Sequence, residues 1–455
     1  MTATLTQVVK QFQQDWTSQL EPDAILTACR GVAYRWRERT LDPVTTIQLF
    51  FVQILHGNTA CTHLRHLTKL DVTASAYCQA RMKLPLAVFE QLLRSVSHAL
   101  QHHPLDEGRW LGHRTFWVDG SSFSMPDTPA LQEHFGQPGK QLPGCGFPVA
   151  HLLALFHAGT GLVLQILAAP LRTHDLSEVV GLHPDLRPGD VLVADRGFCS
   201  YAHLALLVQA GVHAVFRMHQ KHIVAFTPGR PHVEPRTRGK GHKGQPRSAW
   251  LQQLGKHDQL VHWLKPLAGP QWMDEEQFAH LPDRLEVREL QYQVQRKGFR
   301  VRTITLVTTL LDATLYPVEA LAQLYYARWG IETNFAHLKT TMGLDVLKCK
   351  TVDGVLKELI VFALIYNLVR MVMIQAARRQ QVDIDRISFI DAARWLAAVR
   401  DDEPLSLLVV NPYRPYRYEP RVRKRRPKQY PLMQTPRKEL RKLLANNTDV
   451  APHSP

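Results

Sequence analysis

Apolar positions recur at helical spacing through the first hundred residues, and the period then shortens. Residues 46–56 carry a helical apolar pattern behind Asp42-Pro43, a cap followed by a favoured first-turn proline, and Gly57 stops it. Short helices are predicted around 61–67 and 74–82, and a longer amphipathic one over 86–100. Near Arg114 the pattern changes. Thr115-Phe116-Trp117-Val118 predicts a strand that ends in an acid at the Asp119-Gly120 turn. Residues 149–156 and 162–167 flank a glycine turn and predict a hairpin. Residues 190–195 predict a short apolar strand that also ends in an acid, Asp195, ahead of Arg196-Gly197. A helix over 201–209 and strands over 212–216 and 301–308 follow. Between those last two strands, 227–246 is rich in Pro, Gly and basic residues and reads as a loop. Polar, irregular sequence then runs to Asp283, with two strands predicted near Leu285 and Tyr292, so this stretch reads as an insertion between core strands. Helices over 317–342, 355–377 and 387–399 complete the pattern. Strands followed by a strand–helix–strand run imply an α/β core with a mixed sheet.

Composition adds a partner class. The chain has 455 residues, 45% of them hydrophobic, enough for a large core and two to four domains or subdomains. The net charge of +15 and the pI near 9.6 favour a polyanion, most simply nucleic acid. Residues 413–444 alone hold twelve Arg or Lys against Glu419 and Glu439, a net of +10, interleaved with Tyr413, Tyr416, Tyr418 and Tyr430. That segment suits a phosphate backbone, although such runs also serve as solubilising arms. In the N-terminal helices Arg65, Lys69, Arg81 and Lys83 could grip DNA or form the basic rim of an ordinary bundle.

An anionic membrane surface is the weaker alternative, because no basic amphipathic helix stands out. Residues 152–169 are interrupted by His157 and a glycine turn; 361–374 is shorter than a span and contains Asn367 and Arg370. Residues 1–14 lack the apolar run of a signal peptide. The six cysteines form no C-x-x-C pair, which suits a reducing cytoplasm, and no second ligand pair with zinc spacing follows His219 and His222.

Candidate chemistry gathers on the helix over 317–342. Tyr325, Arg328, Glu332 and Lys339 lie at offsets 0, 3, 7 and 14 and fall within about 60° on one face of a regular helix. Leu324, Ile331, Phe335 and Leu338 form the adjoining apolar stripe. One acid with two cations and a phenol suits a metal-bound phosphate; a solvated face with an i, i+4 Arg–Glu pair fits the spacing as well. Asp119 and Asp195 each follow an apolar strand, so with Glu332 three acids can converge at one end of a sheet. Hard oxygen ligands suit Mg²⁺, and two such ions could activate a water or hydroxyl and stabilise a leaving 3′-oxygen. An Asp before glycine is also an ordinary turn former. No P-loop and no G-x-S-x-G elbow competes.

These residues carry a resemblance. Val118-Asp119-Gly120-Ser121, Ala194-Asp195-Arg196-Gly197-Phe198 and, above all, Tyr325-x2-Arg328-x3-Glu332-x6-Lys339 resemble the DDE transposases of bacterial insertion sequences, in the insertion-sequence-four branch with its Y-R-E-K signature. The segment from Ser75 to Arg81 and the Lys424-Arg425-Arg426-Pro427-Lys428 tail look familial too. The resemblance implies an α/β RNase H-like mixed-sheet core with a mainly β insertion, a helical N-terminal domain and a helical C-terminal region. The units would be 1–108 (DNA-binding), 109–219 and 299–378 (core), 220–298 (insertion) and 379–455 (C-terminal region with basic tail). It implies Asp119, Asp195 and Glu332 as catalytic ligands of two Mg²⁺ ions, with Mn²⁺ able to substitute. Tyr325, Arg328, Lys339, Arg425 and Arg426 would contact DNA. It implies cut-and-paste transposition on double-stranded DNA, a homodimer in the synaptic complex, and a cytoplasmic, nucleoid-associated protein. The aromatic that stacks a flipped base in this branch finds no clear match; Trp250, Trp263, Trp272, Tyr292 and Phe299 are candidates. The alternatives are an RNase H-like metal nuclease without strand transfer, or a non-catalytic DNA-binding protein.

Overall fold

The computed structural model describes residues 20–68, 70–102, 109–139, 141–171, 173, 175–232, 246–294, 302–398, 405–412 and 433–446. Arg425, Arg426, Lys69, Phe299 and most of the basic tail lie outside them.

The N-terminal part is helical: α1 (Pro22–Gly31), α2 (Pro43–Leu55), a short α3 (Leu64–Leu67), α4 (Ala74–Lys83) and α5 (Leu86–His102). The predicted cap holds, with Asp42 Oδ1 accepting from Thr45 N at 2.7 Å. Of the four basic residues singled out here, Arg81 is turned inward. Its guanidinium donates to Gln53 Oε1 at 3.0 Å and sits 4.6 Å over the Phe50 ring, so it belongs to the packing of the bundle and not to a DNA-gripping rim.

A nine-stranded sheet follows. Its strands are β1 (Thr115–Ser124), β2 (Val149–His157), β3 (Val163–Pro170), β4 (Val191–Ala194), β5 (His213–Arg217), β6 (Arg247–Gly255), β7 (Asp258–Leu264), β8 (Arg284–Val294) and β9 (Arg302–Thr308). Short helices α6 (Pro129–Phe135), α7 (Asp175–Val179), α8 (Tyr201–Gln209) and α9 (Glu275–Ala279) lie between them. The order is β3-β2-β1-β4-β5-β9-β8-β7-β6. β1, β2 and β3 pair antiparallel, β1-β4-β5 run parallel, and β5 through β6 are antiparallel again.

Three expectations need correction. β1 does not end at Asp119: it continues to Ser124, with Asp119 opposite Ala154 of β2. The two strands expected near Leu285 and Tyr292 are one, β8, and the stretch read as irregular contains β6 and β7. Those two strands carry Gln and His among their apolar positions, which masks the alternation. The insertion therefore extends the core sheet edge-on through β9 and does not form a separate layer.

Alternation along the strands sends side chains to two cores. Trp117, Val193, Val215, Leu290 and Leu306 face one with the N-terminal helices; Phe116, Val118, Ala194, Phe216 and Val307 face the other with α8. The first core also holds α10 (Val318–Ala327), α11 (Gly330–Ala336) and α12 (Val352–Gln380); α13 (Phe389–Ala398) and α14 (Arg437–Asn446) come last. α12 is longer than the expected helix. Its 29 residues could span a bilayer by length and composition, yet its apolar window is 94% buried in the protein. Its polar residues hold the β2–β3 turn: Asn367 binds both the N–H and the C=O of Val163, at 2.8 and 2.7 Å, and Arg370 Nε donates to Thr160 O at 2.8 Å. Gly161, with φ of +69°, lets that guanidinium approach, since a Cβ there would lie 2.5 Å from Arg370 Nη2.

Candidate active site

Register brings two acids together. β1 and β4 run parallel, and their last pair is Val118 with Ala194. Asp119 and Asp195 are each the next residue, so they leave neighbouring strands side by side. Each is two positions beyond a residue of the helical core, Trp117 and Val193, so both start on the face covered by α10 and α11. The proximity registers electrostatically: burial raises the pKa of Asp119 most, and the Asp195 charge raises it further. The Arg328 guanidinium and the Gly120 N–H, which donates to Asp119 Oδ1 at 2.8 Å, pull the other way. Asp195 Oδ1 accepts from Gly197 N at 2.7 Å, the turn hydrogen bond that fixes the carboxylate after the strand.

The helix bearing the third acid is broken. α10 ends at Ala327, and Arg328 and Trp329 form a tight turn in which Trp329 N and Ile331 N reach back three residues, at 3.1 and 2.9 Å. α11 then runs to Ala336, and residues His337–Thr341 form a π turn. The single helix over 317–342 is thus three segments. Gly330 fits the break: a Cβ on it would lie 2.9 Å from Cη2 and Cζ3 of Trp117, so only glycine lets α11 lie on β1 this closely. The apolar stripe is as expected, with Leu324, Ile331, Phe335 and Leu338 all buried.

Arg328 Nη1 donates to Asp119 Oδ2 at 3.0 Å, with the Arg328 side chain 9% exposed. The bland i, i+4 pair with Glu332 is therefore not the arrangement adopted. Arg328 Nε is buried with no hydrogen-bond partner among the described residues. The guanidinium lies 5.5 Å from the Tyr325 ring centroid. Burial raises the Tyr325 pKa, against the pull of Arg328 and Arg217. Lys339 Nζ donates to Ser121 Oγ at 3.0 Å and pairs with Asp345 at 3.3 Å. Since Ser121 is two residues beyond Asp119 on β1, Lys339 and Arg328 reach the same strand face.

Glu332 is exposed, and its carboxylate makes no hydrogen bond or ion pair with the described residues. Among the described residues no three His, Cys, Asp or Glu side chains lie close enough together to hold a metal. Two carboxylates are thus assembled, and the third stands on the helix that packs on their strand. The donor set is hard oxygen next to a like-charge pair that a cation would relieve, which fits a divalent ion.

Arg217 went unnamed in the sequence reading, Ser121 entered it only as part of a motif, and Tyr292 only as a candidate stacking aromatic. Ser121 was legible had β1 been carried past Gly120. Arg217 ends β5 and acts on the pKa of both Tyr325 and Tyr292, whose hydroxyl is buried without a partner among the described residues. Only the β5–β9–β8 pairing brings these together.

Comparison with known proteins adds a family. A model described as "Transposase DDE domain" matches residues 110–368, which include every residue of this site. The transposase InsG for insertion sequence element IS4 of Escherichia coli (strain K12) is 25% identical over 386 residues, 79% of this chain and 78% of that protein. The putative transposase InsZ of the same strain is 28% identical over 138 residues, 30% of this chain and 46% of that one. A solved piggyBac transposase synaptic complex with hairpin DNA aligns with a TM-score of 0.41 and 11% identity, over 87% of this chain and 79% of the other.

Proposed function

The chain belongs to the transposases with a DDE domain, and from that premise we propose that Asp119, Asp195 and Glu332 are its catalytic carboxylates. As an insertion-sequence transposase it is an enzyme of DNA cleavage and strand transfer, and its family works with divalent metal ions. The observation that carries the residue assignment is the parallel register that sets Asp119 beside Asp195, with Arg328 already on the first. The strand order β3-β2-β1-β4-β5, antiparallel then parallel, supports an RNase H-like core.

Asp119, Asp195 and Glu332 would hold two Mg²⁺ ions. Bound there, the metal supplies a more acidic water or hydroxyl and charge relief for the leaving 3′-oxygen. The chain's own residues do the rest. Arg328, a planar fork in a nearly dry site, has an unused Nε–H for a phosphate oxygen of the transposon end. Lys339 adds a point charge over β1, and the Tyr325 hydroxyl stays protonated and able to donate. The ends of the element are nicked to free a 3′-hydroxyl, which then attacks DNA. Double-stranded ends and target, a homodimer in the synapse, and phosphate contacts by Arg425 and Arg426 complete the proposal. The unit boundaries proposed are 1–108 for DNA binding, 109–219 and 299–378 for the core, 220–298 for the insertion and 379–455 for the C-terminal region.

The test uses the full chain and duplexes carrying the inverted repeats beside its gene. Asp119→Asn, Asp195→Asn and Glu332→Gln should each remove Mg²⁺-dependent end cleavage, by at least about a thousandfold in rate, and leave end binding largely intact. Cleavage retained by any one of them would sink its assignment.

A further inference from the structure

Away from the carboxylates, a groove of about 660 Å³ is walled by residues 34–41 on one side and α4 on the other. The end of α1 sets its course. Ala33 takes a left-handed φ of 56°, its N–H donates to Arg30 O at 2.9 Å, and Tyr34 N–H donates to Cys29 O at 2.9 Å. This Schellman pairing turns the chain out into an extended run. Side chains then alternate. Tyr34 and Trp36 are half-buried against the core, their rings stacked with centroids 6.1 Å apart, while Arg35 and Arg37 are exposed.

The opposite wall is one face of α4. Ala76, Gln79, Ala80 and Lys83, at offsets 0, 3, 4 and 7, line the groove, while Tyr77 and Arg81 point inward and both donate to Gln53 Oε1. The familiar-looking segment from Ser75 to Arg81 thus has two jobs. Its aromatic and arginine build the bundle, and its small residues leave a floor open to close approach. Asp42 and Asp71 also line the groove, but the Asp42 carboxylate caps α2. Arg35, Arg37, Arg39 and Lys83 have no carboxylate partner among the described residues.

We propose that this groove is a docking site for duplex DNA, in which Arg35, Arg37, Arg39 and Lys83 hold backbone phosphates and Gln79 faces base edges. The proposal rests on the transposase reading for the choice of polyanion, and on the groove for the residues. Cations spaced along one exposed segment suit a repeating anion. A Gln flanked by two alanines suits an amide that pairs with adenine in the major groove.

The probe is a fluorescein-labelled random duplex of about 30 base pairs, roughly three helical turns, titrated with the full chain at several salt concentrations. The Arg35→Gln/Arg37→Gln double variant should lower the slope of log K against log salt by about 2. Arg35→Lys/Arg37→Lys should keep it, and the Trp36 signal, read as the part of the tryptophan emission that Trp36→Phe removes, should change on binding. Gln79→Ala should leave random-duplex affinity unchanged and cut the preference for the element's own ends roughly tenfold. An unchanged slope in a double variant that melts like the wild type overturns the groove, as does an unmoved Trp36 signal. An unaltered end preference overturns the role of Gln79. Asp119→Asn separates the two readings, because it should keep the slope and lose cleavage; if it cleaves, the active-site reading fails and the groove stands.

Discussion

Asp119 is held between opposing influences. Burial and the Asp195 charge raise its pKa, and Arg328 restrains that rise. In the role proposed for it the carboxyl must be ionised to hold a cation, so its protonation should set the acid limb of cleavage. Arg328→Gln removes the restraining charge and leaves burial and Asp195 in place. The acid limb of the residual cleavage rate should then move to higher pH, and the ¹³C titration of the Asp119 carboxyl should move with it. A limb that stays put would show that Arg328 does not control this group. The charge-bearing residues were legible from spacing alone. What Arg328 touches was not, because its partner lies 209 positions away.

The break in the helix is an element-scale device. A regular helix would carry Tyr325, Arg328, Glu332 and Lys339 along one stripe. The tight turn at Arg328-Trp329 and the π turn after Ala336 re-aim them, so that Tyr325 is buried and Lys339 reaches Ser121. Gly330 permits this. Gly330→Ala should cost about 1–3 kcal/mol by overpacking against Trp117, read as a lower urea midpoint, and should lower cleavage with it by displacing Glu332. A second element-scale prediction concerns the sheet extension. Arg288, fully buried on β8, makes a two-pronged ion pair with Asp258 of β7 at 2.7 and 2.6 Å. Asp258→Ala strands that guanidinium and should cost about 3–5 kcal/mol, whereas replacing both partners with apolar residues should cost far less. Equal losses in the single and double variants would contradict a paired role. Most helices and the core strands were visible as runs of one period. β6 and β7 were not, because polar side chains on a sheet extension blur the alternation.

At the scale of the molecule, the core that holds α8 is lined by neutral histidines. His157 is buried and its pKa is depressed to about 4. His203 Nδ1 faces the Phe198 carbonyl at 2.8 Å; a carbonyl only accepts, so Nδ1 carries the hydrogen and Nε2 accepts from His183 at 3.1 Å. Burial depresses both of these as well. Unfolded histidines take up protons near pH 6.5 and these cannot, so stability should fall as pH drops from about 6.5 towards 4, by up to about 1.4 kcal/mol per unit for each histidine. Urea midpoints across that range check it, and His157→Gln should flatten the dependence. A flat wild-type profile would mean these groups are protonated in the fold. Patterns of period and charge were enough to indicate an α/β chain with a polyanionic partner and to nominate three acids, because helix, strand and net charge are local or additive properties. Which acids meet, that the insertion continues the sheet, that Arg81 packs inside, and that a 29-residue apolar helix is a core and not a span were decided by register and packing. Those depend on contacts between residues far apart in sequence, which no local pattern encodes.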